Sequence, residues 1–254
     1  MSLDLYYFTG GPRERVLKAV VDAGHRVLQV FANSPQRWPK VAASIELAQS
    51  LGLPVTVLES KSDLDKVSET VAGSLCLSVG FAYLFPKNFL DRVSMCLNVH
   101  GSLLPDYAGA RTLSWVIENG ETKSGVTVHF VDEGMDTGPI LLQRAFSLSP
   151  FETTASLARK TGDLEPQVVV DALEKFETMG MAGAEPQPFP PPPVPPNRVP
   201  EHSKIDPELP LLDLINKIRA ANPEHYPAYF NLHGQKVCIQ LWRPNKPEDE
   251  MDLI

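Results

Sequence analysis

An amide, an imidazole and a carboxylate stand out in this chain as groups that could do chemistry together: Asn98, His100 and Asp136. Asn98 and His100 close the run Cys96-Leu97-Asn98-Val99-His100, which reads as the end of a buried strand, so alternation turns both side chains to one face. Asp136 lies in the loop after a second strand-like run, Gly125 to Val131. Polar groups converging at the C-terminal edge of a sheet suit reactions at a carbonyl carbon. Moving an acyl group from one nitrogen to another gathers negative charge on oxygen and releases a proton from the attacking amine. Asn98 can donate from its amide nitrogen, His100 can donate or accept according to its charge, and Asp136 can orient the ring and favour its cationic form. The trio contains no Ser or Cys nucleophile, so direct transfer is simpler than an acyl-enzyme. Taken singly, each has a plainer reading: Asn98 as a strand-end tie, His100 as a satisfied structural histidine, Asp136 as a turn carboxylate.

The elements that must position these groups alternate along the first half. Leu5–Phe8 reads as a strand, Thr9-Gly10-Gly11-Pro12 as a turn, and Arg13–Ala23 as a helix with Val16, Leu17, Val20 and Val21 on one face. Strands over 26–32, 55–58 and 74–79 alternate with helices over 41–51 and 64–71. This rhythm predicts an α/β fold: a Rossmann-like, mostly parallel sheet with helices on both faces, plus a small C-terminal α+β module. The Gly10-Gly11 pair lacks the third spaced glycine of a dinucleotide fingerprint, so a plain strand-to-helix turn is favoured over an anion site involving Arg13. From Ser149 to Met179 the pattern is helical, with a break expected at Pro166. The proline-rich run 186–196 reads as a stiff polyproline spacer rather than an SH3 or WW ligand. Beyond it come a helix over 209–221 and a strand over 235–242. The expected domains are 1–184 catalytic, 185–200 linker and 201–254 C-terminal.

Composition narrows the function classes. The net charge of −8 and scattered Lys and Arg disfavour nucleic acid as the main partner. Cys76, Cys96 and Cys238 form neither a CxxC pair nor an even set; Cys76 and Cys96 lie in apolar strand-like runs and are expected in the core. No basic leader precedes an apolar stretch, and no apolar run approaches the ~20 residues needed to cross a bilayer, so a cytoplasmic setting without a membrane partner is expected. His25, His202, His225 and His233 have no ligand spacing, and no metal is expected; His129 is read as structural and Ser102 as a loop-shaping hydrogen bonder.

The stretch Asn98-Val99-His100-Gly101-Ser102-Leu103-Leu104-Pro105-Asp106-Tyr107-Ala108-Gly109 resembles the signature of the folate-dependent formyltransferases. Trp115–Glu121, Gly125–His129 and Asp136-Thr137-Gly138-Pro139-Ile140 follow in the family's order and spacing. The resemblance implies that Asn98, His100 and Asp136 are the catalytic triad and that 10-formyltetrahydrofolate is the formyl donor. It also implies that Phe81, Tyr83, Leu84, Leu104, Pro105 and Val131 line the pterin pocket. The linker and first C-terminal helix resemble those of methionyl-tRNA and sugar formyltransferases, whereas glycinamide ribonucleotide enzymes stop earlier. Against the longer basic barrel of the tRNA enzymes, this tail favours a small amine acceptor on a nucleotide-linked amino sugar. Arg111 stands in a segment that departs from many relatives. Hydrolysis of the formyl donor, a methionyl-tRNA or other small amine acceptor, and a non-catalytic binding role are the alternatives. A homodimer through the C-terminal region is compatible with the resemblance.

Overall fold

The fold was taken from a computed structural model, which describes residues 2–250 and 253–254. The first half lays down β1 (Asp4–Thr9), α1 (Glu14–Asp22), β2 (Arg26–Asn33), α2 (Ala42–Ser50), β3 (Val55–Leu58), α3 (Asp63–Val67), β4 (Leu75–Val79), α4 (Lys87–Leu90) and β5 (Met95–His100). There follow α5 (Leu113–Glu118), β6 (Lys123–Phe130), β7 (Ile140–Ser147) and α6 (Thr154–Met179). The C-terminal part holds α7 (Leu211–Ala220), β8 (Ala228–Leu232) and β9 (Gln235–Ile239). Seven strands form one sheet in the order β3-β2-β1-β4-β5-β6-β7, and β8 and β9 form a separate antiparallel pair. β1 to β5 run parallel, β6 is antiparallel to β5, and β7 is antiparallel to β6. The mostly parallel α/β sheet and the small C-terminal module are those the sequence predicts.

Alternation sorts the strand residues onto two apolar layers. Leu5, Tyr7, Leu75, Leu77, Val79, Leu97, Val99, Val126, Val128 and Phe130 pack with Val16, Leu17 and Val20 of α1 and Val168, Val169, Ala172 and Leu173 of α6. Phe8, Phe31, Cys76 and Cys96 face the other way, onto Leu64, Val67 and Phe89 from α3 and α4. Cys96 therefore marks the face that Asn98 and His100 share on β5, and Thr127 and His129 have the matching parity on β6. Cys76 and Cys96 are buried and unbridged, and burial pushes the Cys76 thiol up to about 12.

Four expectations change. α6 runs unbroken through Pro166. A proline ring presses on the carbonyl four residues back, here that of Gly162, but buried Leu157, Val168 and Leu173 hold both halves of the helix in the core. β7 and β8 are strands that the sequence pattern does not announce. The helix expected over 64–71 closes at Val67, and the strand expected over 235–242 at Ile239. The proline-rich run, expected as a stiff spacer, also lies against the sheet domain as a strap. Its start pairs with β7, Glu185 and Ile140 exchanging N–H···O bonds of 2.8 Å, and its far end receives the Trp115 indole N–H on the Pro196 carbonyl at 2.8 Å.

Candidate active site

β5 and β6 carry the site between them. Their register sets Asn98 opposite His129 and His100 opposite Thr127. Asn98 Nδ2 lies 3.1 Å from His129 Nε2 and donates to Asp136 Oδ1 at 3.4 Å. His100 Nδ1 stands 3.4 Å from Asp136 Oδ2, and His129 Nε2 stands 3.4 Å from Asp136 Oδ1. The structure thus brings Asn98, His100 and Asp136 together, with His129 as a fourth member.

Hydrogen-bond logic fixes much of the protonation. His100 Nε2 is 2.8 Å from the Tyr107 carbonyl, which can only accept, so Nε2 carries the hydrogen and Nδ1 is the atom that faces Asp136. Ser102 Oγ donates to the carbonyls of Asp106 and Tyr107, both at 3.2 Å, and so shapes the loop that presents this acceptor, as its position in the sequence predicts. His129 Nδ1 lies 2.8 Å from the Phe130 carbonyl and donates to it, leaving Nε2 to accept from Asn98 when the ring is neutral. Burial pushes the His100 imidazolium down, against the pull of Asp136 and the Tyr107 carbonyl, and the net direction is below the ordinary 6.5. Burial alone would raise the Asp136 carboxyl, but the two imidazole edges that face it, His129 first and then His100, and the Gly109 N–H favour its charged form and hold it at about 2. The site therefore pairs a fixed carboxylate with an imidazole whose Nδ1 is free to take a proton.

Asp136 owes its place to two loops. Its backbone adopts φ 57°, a left-handed conformation that Asp tolerates better than most residues. The Gly109 N–H donates to Oδ2 at 2.8 Å, and Gln187 Nε2 donates to the Asp136 and Gly138 carbonyls at 2.8 and 2.7 Å. Within the loop, Asp132 Oδ1 accepts from Gly134 N at 3.0 Å and from Thr137 Oγ1 at 2.7 Å.

The expected pocket residues are distributed unevenly. Phe81, Tyr83 and Val131 are half-buried against the Phe8–Phe85–Phe89 cluster, with Phe81 stacked on Phe85 at 5.5 Å, while Leu84 is exposed beside them. Leu104 is buried in the loop after β5, its N–H on Thr127 Oγ1 at 3.2 Å and its carbonyl taking the Gln143 amide at 2.7 Å; Pro105 follows it half-buried. Near Gly10 the chain makes a tight turn: a Cβ there would collide with the Gly80 carbonyl and the Asn33 side chain. Arg13 Nε lies 3.1 Å from buried Glu165 Oε2, which occupies the charge an anion would need.

Two neighbours of this cluster escape sequence reasoning. His129 has the right parity, but its meeting with Asn98 depends on the β5–β6 register, which a single sequence does not state. Gln187 sits in a run whose prolines signal a connector.

Residues 19–173 match the family model described as Formyl transferase. The chain is 34% identical over 197 residues to a methionyl-tRNA formyltransferase from Synechococcus sp., the match covering 76% of this chain and 60% of that protein. It is 32% identical over 255 residues to a methionyl-tRNA formyltransferase from Pelotomaculum thermopropionicum, covering 96% of this chain and 79% of that one. The fold superposes on a sugar N-formyltransferase from a Shewanella species with TM-score 0.71 and 22% identity, covering 97% of this chain and all (100%) of that one.

Proposed function

This chain belongs to the formyl transferase family, and on that premise we propose that it moves the formyl group of 10-formyltetrahydrofolate onto a primary amine. The observation that carries the proposal is the convergence of Asn98, His100 and Asp136 at the β5–β6 edge, with the His100 Nε2 hydrogen already committed to a carbonyl. Phe81, Tyr83, Leu84 and Val131 offer an apolar wall for a flat heterocycle, with Leu104 and Pro105 in the loop after β5. The donor supplies the electrophilic formyl carbon. His100 Nδ1 accepts the proton that the attacking amine releases, and Asp136 balances the imidazolium so formed. Asn98 Nδ2, giving up its long 3.4 Å bond to Asp136 Oδ1, and His100 Nδ1–H once charged, donate to the formyl oxygen as negative charge gathers there. Collapse of the tetrahedral intermediate breaks the bond between the formyl carbon and N10 of the donor, and the proton held on His100 Nδ1 passes to that nitrogen. Tetrahydrofolate leaves without any side chain of the cluster bonding covalently to the formyl group.

The acceptor we favour is an amino-deoxy sugar linked to a nucleotide. The support is electrostatic: a chain of net charge −8, whose C-terminal part carries more acidic than basic side chains, offers little to a long phosphate backbone. Methionyl-tRNA is the second reading, favoured by 32% identity over 96% of this chain to a protein bearing that name. One experiment separates them. The protein is given 10-formyltetrahydrofolate with a panel of UDP- and dTDP-linked amino sugars, with charged methionyl-tRNA, or with no acceptor, and products are read by mass. Gain of one formyl group on a sugar nucleotide supports the proposal. Formylation of methionyl-tRNA alone selects the second reading, and rapid formate release without acceptor shows a hydrolase.

A further inference from the structure

The proline-rich strap touches the site at the residue that matters most for the imidazole, and we infer that Gln187 is a positioning residue that aims Asp136 at His100. This inference rests on the roles proposed above for those two residues. Both hydrogens of one amide are spent on the loop's backbone: Gln187 Nε2 donates to the Asp136 carbonyl at 2.8 Å and the Gly138 carbonyl at 2.7 Å. The first belongs to the catalytic carboxylate residue itself, at the point where its backbone is left-handed, φ 57°. A non-glycine residue in that region persists when its surroundings over-determine it. Here the Gly109 N–H holds the carboxylate end and Gln187 the carbonyl end.

The strap that carries Gln187 is built to hold position. Its prolines favour an extended, stiff backbone without donors of their own. It is fixed at both ends, by the Glu185–Ile140 pair and by the Trp115–Pro196 bond, and just beyond by Arg198, which lies over the Trp115 ring at 5.2 Å and pairs with Glu118 at 2.5 Å. Between the anchors, Val194 abuts Gly109: a Cβ on that glycine would lie 2.8 Å from Val194 Cγ1. One segment thus bears on both loops that meet at the Asp136 carboxylate.

The charged and titratable groups that face His100 are Asp136 and His129, with the Tyr107 carbonyl on Nε2. Release of the loop moves the Asp136 carboxylate away, so the imidazolium loses its main support and its titration falls further below 6.5. The deciding measurement is the NMR titration of the His100 ring in wild type, Gln187→Met, Gln187→Glu and Gln187→Lys, with Asp136→Asn as reference and His100→Ala for assignment. The methionine removes the donors at similar length, the glutamate sets a carboxylate against two carbonyls, and the lysine keeps a donor. Gln187→Met and Gln187→Glu are expected to move the His100 titration downward, toward Asp136→Asn, and Gln187→Lys to restore part of it. Turnover should fall on the order of ten- to a hundredfold in kcat, with KM for 10-formyltetrahydrofolate nearly unchanged. Wild-type titration and kcat in a folded Gln187→Met or Gln187→Glu, beside an inactive Asp136→Asn, would overturn the inference alone. Full turnover in Asp136→Asn would instead overturn the proposed function beneath it.

Discussion

At the residue scale, the proposed chemistry divides two jobs between groups whose environments differ. Asp136 is held near 2 and stays ionised, while burial keeps the His100 ring neutral at neutral pH and Asp136 waits to stabilise its cation. His100→Ala removes the proton acceptor and Asp136→Asn the balancing charge; each should lower kcat on the order of a hundred- to ten-thousandfold, with little change in donor affinity measured by equilibrium binding. The sign of the pH dependence follows from the direction of the His100 shift. The base is active when neutral, so kcat/KM should fall as pH drops through the folded pKa, with its acid limb below 6.5. A limb at or above 6.5 would contradict the assignment of His100 as that base. Asn98, His100 and Asp136 are legible in the sequence because strand parity and motif order both point to them. His129 is not, since its partner is set by a register between antiparallel strands.

At the element scale, each loop of the site is tied to a strand end or to the strap. β5 brings Asn98 and His100 to the edge only because Leu97 and Val99 are anchored on the opposite face, and Leu97 is completely buried. Leu97→Ala should cost about 2 to 5 kcal/mol of stability, read as a loss in denaturant midpoint. Gly109 has φ 93°, a conformation that strains any L side chain, and a Cβ there would press on the ends of Val194 and Met135. Gly109→Ala should cost about 1 to 3 kcal/mol by thermal melt and lower kcat as well, because its N–H holds the Asp136 carboxylate. Unchanged kcat in a folded Gly109→Ala protein would show that this loop contact is only structural. The alternation of strands and helices through β5 is readable from apolar periodicity. The strap is readable as extended but not as docked: prolines announce stiffness, whereas the bonds of Gln187, Trp115 and Arg198 depend on a surface assembled from distant segments.

At the scale of the whole molecule, the sheet does what a parallel α/β sheet does, presenting the candidate groups at one edge, and the net charge of −8 is the ground for proposing a small acceptor. Among the described residues no helix is long and apolar enough to cross a membrane. The acceptor is the least legible property, since it depends on surface charge and on loops such as that at Arg111 rather than on the reacting groups. A small sugar nucleotide makes few phosphate contacts, so its KM should change little between about 50 and 200 mM salt, whereas a tRNA acceptor would weaken steeply over that range. The most direct measurement is formyl transfer itself. Wild-type protein, His100→Ala and Asp136→Asn are each incubated with 10-formyltetrahydrofolate and an amino-sugar nucleotide panel, and formamide formation is followed by mass. Formylation of an amine by the wild type, lost in both variants while they still bind the donor, is the result expected. Comparable formylation by all three proteins would contradict the account.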